Sequence, residues 1–174
     1  MSVRGKAALV TGANRGLGLS IAKAFMRGGA RVVAVIRDPA RTEDTARELY
    51  LVGDDFEIVV ADVTDEDAVT HAVTDPVRLD IVVNNAGIAR ARPLLETPTD
   101  ELRAIVDVNV VGAFVVMREA ARRMVDSGGG HIINIASDAA TRGIAGMAPY
   151  VASKHALLGM ARSVSLAQIG RAHV

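Results

Sequence analysis

The sequence predicts a single α/β domain built on a doubly wound parallel sheet, and three observations carry that expectation. Five short apolar runs, at 7–10, 32–36, 58–61, 81–83 and 132–135, are continuous rather than alternating, the pattern of strands covered on both faces. Stretches of about twenty residues with helical spacing separate the first four runs, enough for a crossover helix each time. Half of the 174 residues are hydrophobic but only 3% are aromatic. The core must therefore be Val, Ile, Ala and Leu, which suits β-branched strands packed against Ala-rich helices.

Each element has its own signal. In the first helix Leu17, Ile21 and Phe25 recur at i, i+4 and are expected to face the sheet. The segment from Asp65 to Arg78 is short and predicts a trimmed helix before the fourth strand. The gap before the fifth run is twice as long, and predicts one extended helix over residues 98–126. Thr97 fits an N-cap, Pro98 an N1 proline and Asp100 a capping-box acid. Leu102, Ile105, Val106, Ala113, Met117, Ala120 and Met124 form its apolar stripe, and Gly128–Gly130 ends it. A last helix is expected from near Pro149 through Leu166. No internal repeat, low-complexity stretch or linker divides the chain.

Composition narrows the function. There is no Cys, which excludes disulfides, thiolate metal sites and Cys nucleophiles. Twenty acidic residues balance twenty Lys and Arg, which disfavours a broad footprint on nucleic acid or anionic membrane. The N-terminus lacks the apolar stretch of a signal peptide, and no apolar run reaches bilayer length. A soluble, cytoplasmic protein is expected. His71, His131 and His155 fit no metal-ligand spacing, so no metal is expected.

The first strand runs into Thr11-Gly12-Ala13-Asn14-Arg15-Gly16-Leu17-Gly18, directly before a helix. Glycines permit a close backbone approach, and a helix N-terminus offers unpaired N–H groups and a positive dipole end. A pyrophosphate fits there, although such turns also serve only to pack a helix onto a strand. No Gly-Lys-Ser/Thr closes the motif, which argues against a P-loop. Arg37 and Asp38 follow the second strand. An acid at this strand tip would accept from the 2′-hydroxyl of NAD, whereas Arg accommodates the 2′-phosphate of NADP. Arg15 and Arg37 together could grip one phosphate; the competing reading makes both ordinary surface charges and Asp38 the selector. Asp62 follows the third strand, at the carboxyl edge where ligands of such sheets bind. Tyr150 and Lys154 stand four residues apart, so they share one helix face. A Lys⁺ beside a phenol, and the helix N-terminus with it, both favour phenolate. Such a tyrosine can exchange a proton with a carbonyl or alcohol near neutral pH.

The glycine turn has TGxxxGxG spacing; Asn84-Asn85-Ala86-Gly87 follows the fourth strand, and Ser137 lies thirteen residues before the Tyr150-x-x-x-Lys154 pair. In these motifs the chain resembles the short-chain dehydrogenases/reductases, with matching motif order from Gly5 to about Ala167. The resemblance implies a Rossmann-like fold and hydride transfer between NAD(P)(H) and a carbonyl or secondary-alcohol substrate. It implies that Gly12, Asn14, Arg15, Gly16, Leu17, Gly18, Arg37, Asp62, Val63, Asn84, Asn85, Ala86, Gly87, Tyr150 and Lys154 bind the cofactor. Ile36 stands where NAD-preferring members carry their acid, so NADP(H) is expected, with NAD(H) the alternative. Tyr150 is expected as general acid/base. Lys154 would lower its pKa and hold the nicotinamide ribose, Ser137 would orient the substrate oxygen, and Asn109 would hold a relay water. A helix-bending Asn109 is the alternative. Residues 138–148 would line the substrate pocket, where Ala139, Ile144 and Met147 suggest a partly apolar ligand. A dinucleotide sensor and an inert fragment of a reductase are the competing functions.

The family implies a homodimer or homotetramer in contact through the stripes of the two long helices. It also implies two further strands, which have no counterpart here. Residues 1–168 are therefore expected to be an incomplete Rossmann-type domain. Residues 169–174 are expected to be a non-native tail, because Ile-Gly-Arg-Ala-His-Val back-translates to the opening of a common sequencing adapter. A natural helix terminus with Gly170 at its C-cap is the alternative.

Overall fold

A computed structural model describes residues 2–74, 78–166 and 172–173. The strands are β1 (Ala7–Thr11), β2 (Arg31–Ile36), β3 (Phe56–Val60), β4 (Ile81–Asn84), β5 (Gly130–Asn134) and the two-residue β6 (Ala172–His173). The helices are α1 (Gly16–Arg27), α2 (Thr42–Tyr50), α3 (Glu66–Thr74), α4 (Thr99–Val106), α5 (Ala113–Asp126) and α6 (Ala148–Leu166). All strand pairs are parallel, in the order β3-β2-β1-β4-β5-β6. The five apolar runs are all strands, displaced by at most two residues at either end. The expected tail lies mostly outside the described residues; within it, β6 pairs with Gly130–His131 of β5.

Strand periodicity distributes the core between two layers. Leu9, Val33, Val35, Val82 and Ile132 pack on the side of α3, α5 and α6. Ala8, Val10, Val32, Ala34, Ile81 and Val83 face the side of α1 and α2. The small alanines on the second face let α1 approach the sheet through Ala22, which is fully buried. Each fully buried Val or Leu contributes about 1.5–3 kcal/mol, so a core of this kind needs no large aromatic payload.

Several expectations about the helices are corrected. Leu17 does not face the sheet. It is 57% exposed, because the inward face of α1 runs through Gly18 and Ala22, with Ile21 and Phe25 packed beside it. Thr97 is not an N-cap either: its hydroxyl donates to the Pro93 carbonyl at 2.9 Å. α4 begins one residue later, with Pro98 in the cap position and no side-chain cap. Leu102 is largely exposed, while Ile105, Ala113, Met117, Ala120 and Met124 of the stripe are buried. The extended helix is interrupted by a π-helical segment, Asp107–Gly112. Widening the helix there turns Asn109 into the interior and sets Gly112 against Val63, where an added Cβ would come within 2.8 Å of the Val63 side chain. Gly130 does not end the helix but begins β5. α3 is short, as expected, and residues 75–77 after it lie outside the described residues.

At the amino edge of the sheet Asp80 joins β1 to β4. Its carboxylate accepts from Lys6 Nζ at 3.1 Å, from the Ala7 amide at 2.9 Å and from Arg78 Nε at 2.7 Å. Burial pushes its pKa up, but the Arg78, Ala7 and Lys6 hydrogen bonds outweigh that and hold it below the usual carboxylate value. Asp80→Ala is expected to lower stability by about 1–3 kcal/mol at pH 7, since the Ala7 amide loses its acceptor. A depressed folded-state pKa stabilises fully above the unfolded carboxylate value, about 3.9, and progressively less as pH falls toward and through the folded-state pKa. The gap between parent and variant should therefore narrow as pH falls below that value. Denaturant unfolding at pH 7 and pH 3 tests this; an equal gap at both would refute the ionic part.

Candidate active site

The site lies at the carboxyl edge of the sheet, where the chain order reverses between β1 and β4 and a crevice opens in doubly wound folds. Gly12 takes a positive φ of 67°, turning the chain from β1 into α1. Gly18 then packs so closely that a Cβ there would stand 2.3 Å from the Gly12 carbonyl and 2.5 Å from Asn85 Nδ2. Only glycine allows the first turn of α1 to seat against β4. Thr11 completes the joint from below. Its buried hydroxyl accepts from the Asn85 and Ala86 amides at 3.0 and 2.9 Å. Asn85 Nδ2 returns a hydrogen bond to the Thr11 carbonyl at 2.9 Å.

The resulting cleft has a volume of about 420 Å³ and is lined by Gly12, Asn14, Arg15, Gly16, Leu17, Gly18, Arg37, Asp62, Val63, Asn85, Ala86 and Gly87. Of the expected cofactor residues, Tyr150 and Lys154 on α6 are not part of this lining, and neither is Asn84. That side chain is buried behind the cleft, where Nδ2 donates to the Ala113 carbonyl at 2.9 Å and to Asn134 Oδ1 at 3.1 Å. It ties β4 to α5 and β5 and does not line the cleft. The exposure of Leu17 has its explanation here, since it lies over the cleft mouth. Asp62 is committed locally: Oδ1 accepts from the Thr64 amide and hydroxyl at 3.0 and 2.9 Å. Among the described residues the Arg15 and Arg37 guanidiniums have no hydrogen-bond or ion-pair partner. Asp38, Arg41, Ala61, Ile88 and Val108 also line the cleft. Sequence reasoning missed Arg41, Ile88 and Val108, whose signal is positional only: Arg41 comes four residues after Arg37, and Ile88 directly follows Asn-Asn-Ala-Gly.

The second half of the site is assembled around α6. Lys154 is 95% buried, and its ammonium donates to the Ile135 carbonyl at 2.8 Å just past β5. Nζ lies 5.7 Å from the centre of the Tyr150 ring. Burial holds the Lys154 pKa below the ordinary lysine value. Asn109 meets α6 indirectly. Its Oδ1 accepts from the Ile88 amide at 2.8 Å, while Nδ2 donates to the Ile88 carbonyl at 2.8 Å and to Ser153 Oγ at 3.0 Å. Ser153 in turn donates to the Tyr150 carbonyl at 2.7 Å. All the polar atoms of this Asn side chain are paired, and both ends of the site are joined through it. Ser153, buried and next to Lys154 in sequence, had no motif to reveal it.

Ser137 lies three residues past the end of β5 rather than at its last position, because the ladder stops at Asn134. It opens a short 3₁₀ turn, accepting from the Ala139 amide at 3.1 Å and donating to Asp138 Oδ1 at 3.0 Å. Arg142 first, and then this Ser137 hydroxyl, hold the Asp138 carboxyl below its usual pKa. Of the expected substrate-pocket residues, Ala139 is fully buried and is withdrawn from that role. Ile144 and Met147 remain half-buried. The loop that carries them is held by a hydrogen bond from the Arg92 amide to the Gly146 carbonyl at 2.7 Å.

A cleft rimmed by free guanidiniums at the carboxyl edge of the sheet, with a phenol and a desolvated ammonium on α6, suits an anionic dinucleotide and a proton-exchanging group. No helix among the described residues is long and apolar enough to cross a membrane.

Comparisons with known proteins agree with this geometry. The gluconate 5-dehydrogenase of Gluconobacter oxydans is 37% identical over 168 residues, covering 94% of this chain and 66% of its own length. The D-threitol dehydrogenase of Mycolicibacterium smegmatis is 36% identical, covering 96% and 66% respectively. A solved Beutenbergia cavernae protein, described as a candidate NAD(P)-dependent gluconate 5-dehydrogenase and holding NADP at low occupancy, superposes with a TM-score of 0.90 at 35% identity. That match covers 98% of this chain and 70% of the other. The chain thus spans about two thirds of the length of the curated relatives it matches. The short chain dehydrogenase family model matches residues 6–170, and the chain belongs to that family.

Proposed function

We propose that the protein moves hydride between NADP(H) and a secondary-alcohol or ketone group, with residues 1–168 forming the dinucleotide-binding domain. The observation that carries this reading is the buried Lys154 ammonium, 5.7 Å from the Tyr150 ring at the carboxyl edge of the sheet. A desolvated cation beside a phenol favours the phenolate, which a neutral sensor or a purely structural helix start would not need. The cofactor supplies the hydride. The chain supplies the proton path and the orientation. Tyr150 gives its phenolic proton to the carbonyl oxygen in reduction and takes it back in oxidation. Lys154 holds that phenol's charge and reaches the nicotinamide ribose. Ser137 donates its hydroxyl to the substrate oxygen, exchanging its present partner Asp138. Asn109, whose two Nδ2 hydrogens are taken by Ile88 and Ser153, uses the remaining lone pair of Oδ1 to hold the water that returns protons toward Lys154.

Two of the relatives are named for a sugar acid and a polyol, which supports a polyhydroxylated substrate. Arg15 and Arg37, unpaired at the cleft, support NADP(H) over NAD(H). The whole protein is proposed to be a cytoplasmic homodimer or homotetramer. Exposed Phe114 and Val125 on α5, beside a groove of about 520 Å³ that reaches Val164 of α6, support self-association on that face.

Two experiments on the whole protein test the chemistry. Tyr150→Phe keeps the ring and deletes the proton, so kcat should fall about 10²–10⁴-fold with cofactor Kd unchanged. A variant that keeps more than half of parental kcat removes Tyr150 from the mechanism. Arg37→Ala should weaken NADPH by about 1–3 kcal/mol and leave NADH alone. Equal parental affinity for the two cofactors in fluorescence titration would defeat the NADP(H) reading.

A further inference from the structure

We propose that Asp38 is a positioning residue for the cofactor's 2′-phosphate: it caps the turn that presents a third guanidinium, Arg41, to the cleft. The inference rests on the NADP(H) reading and deepens it. The competing reading of the sequence gives Asp38 the opposite role, as the acid that would accept from the 2′-hydroxyl of NAD.

The local geometry favours the capping role. Asp38 is extended, at φ −96° and ψ 112°, and stands in the cap position of the 3₁₀ turn Pro39–Arg41. Its Oδ1 accepts from the Ala40 amide at 3.0 Å, and its own carbonyl accepts from the Arg41 amide at 3.0 Å. Pro39 fixes its own φ inside the turn. On the far side the Arg41 carbonyl accepts from Thr45 Oγ1 at 2.7 Å, and Thr45 is buried. The Arg41 backbone is thereby pinned at both its amide and its carbonyl. Its side chain lines the cleft together with Arg15 and Arg37. Among the described residues its one ion-pair partner is Asp44, 3.6 Å away, and Asp44 also serves Arg47 at 3.3 Å. Exposed pairs of this kind hold a side chain only weakly, so Arg41 is available to a phosphate.

The two roles predict different outcomes. Asp38 is a negative charge beside a proposed phosphate site, so charge alone says that every neutral replacement should tighten NADPH. The capping role says that the replacement's own acceptor decides. Asn caps as well as Asp does, and Ala does not cap.

The test measures Kd for NADPH and NADH in the whole protein for the parent, Asp38→Asn, Asp38→Ala, Arg41→Met and the two double variants. Asp38→Asn is expected to bind NADPH at least as tightly as the parent. Asp38→Ala, with the same change of charge, should bind it about fivefold more weakly than Asp38→Asn, the cost of re-forming an uncapped turn. NADH should not separate the two. Arg41→Met should weaken NADPH about tenfold, and in that background the Asn–Ala gap should vanish, because the turn then has no cation to deliver. An NADPH affinity of Asp38→Ala equal to or above that of Asp38→Asn overturns the proposal. So does a gap that persists with Arg41→Met, or a loss of NADH affinity in both Asp38 variants. A parent without NADPH preference defeats the underlying cofactor reading as well. A parental preference that is lost in Arg37→Ala, with no gap at Asp38, defeats the capping role alone.

Discussion

The seat of Gly18 on the Gly12 carbonyl and the Asn85 amide is the contact on which the rest of the site depends. It brings the N-terminus of α1 against the end of β4, so the crevice between them is narrow enough to cradle a pyrophosphate and open enough to admit one. Thr11 makes the joint rigid by satisfying two consecutive backbone amides of the β4 exit from inside the sheet. A side chain at position 18 would push the helix outward, and the amides at its N-terminus would lose their common focus. The small residues of the turn are thus a geometric requirement of the β1–β4 crossing point, and the cleft's polarity follows from it.

A second joint couples the cleft to the chemistry. The π-helical segment turns Asn109 inward, where it clamps both main-chain groups of Ile88 at the cleft and reaches Ser153 on α6. Without the extra residue in that turn, the amide would rotate off the inward face. π-Bulges concentrate at functional sites for this reason: they trade regular hydrogen bonding for the placement of one side chain. Here the segment places a single amide between the dinucleotide cleft and the helix that carries Tyr150 and Lys154. The proposed proton path and cofactor cradle therefore share one polar anchor. Lys154 is drawn from the other side, by the Ile135 carbonyl just past the end of β5, and its desolvation follows from that burial.

Strands were legible as plain apolar runs bounded by polar residues: β1, β2 and β4 are largely covered on both faces, while β3 and β5 leave Val60 and Ile133 exposed. The glycine turn, Asn-Asn-Ala-Gly and Tyr-x-x-x-Lys were legible because their chemistry needs those residue types at fixed spacing along one chain segment. Residues whose work is done across segments were harder to find. Leu17 fits the apolar stripe by spacing, yet the stripe on α1 is set by Gly18 and Ala22, the residues that are buried against the sheet. Asn84 belongs to the motif but serves the strands behind the cleft. Thr97 carries the right side chain for a cap, but the preceding turn claims its hydroxyl through Pro93. Ser153 and Ile88 carry no local signature, since both meet Asn109 from another element, and Arg41 is recognisable only by where its turn places it on the cleft.

The sequence by itself determined the sheet, its parallel sense, the location of the cleft at the strand ends and the pairing of a tyrosine with a lysine on one helix face. Each of these follows from periodicity or spacing within about twenty residues, over which backbone geometry alone brings side chains together. Tertiary structure alone decided which polar groups were already spent on distant segments: Asn84 on α5 and β5, and Asn109 on Ile88 and Ser153. It also decided that Lys154 is desolvated while Arg15 and Arg37 remain unpaired. Whether a polar side chain is available for a ligand depends on which donors and acceptors from distant segments reach it first, and that competition exists only after the chain has folded.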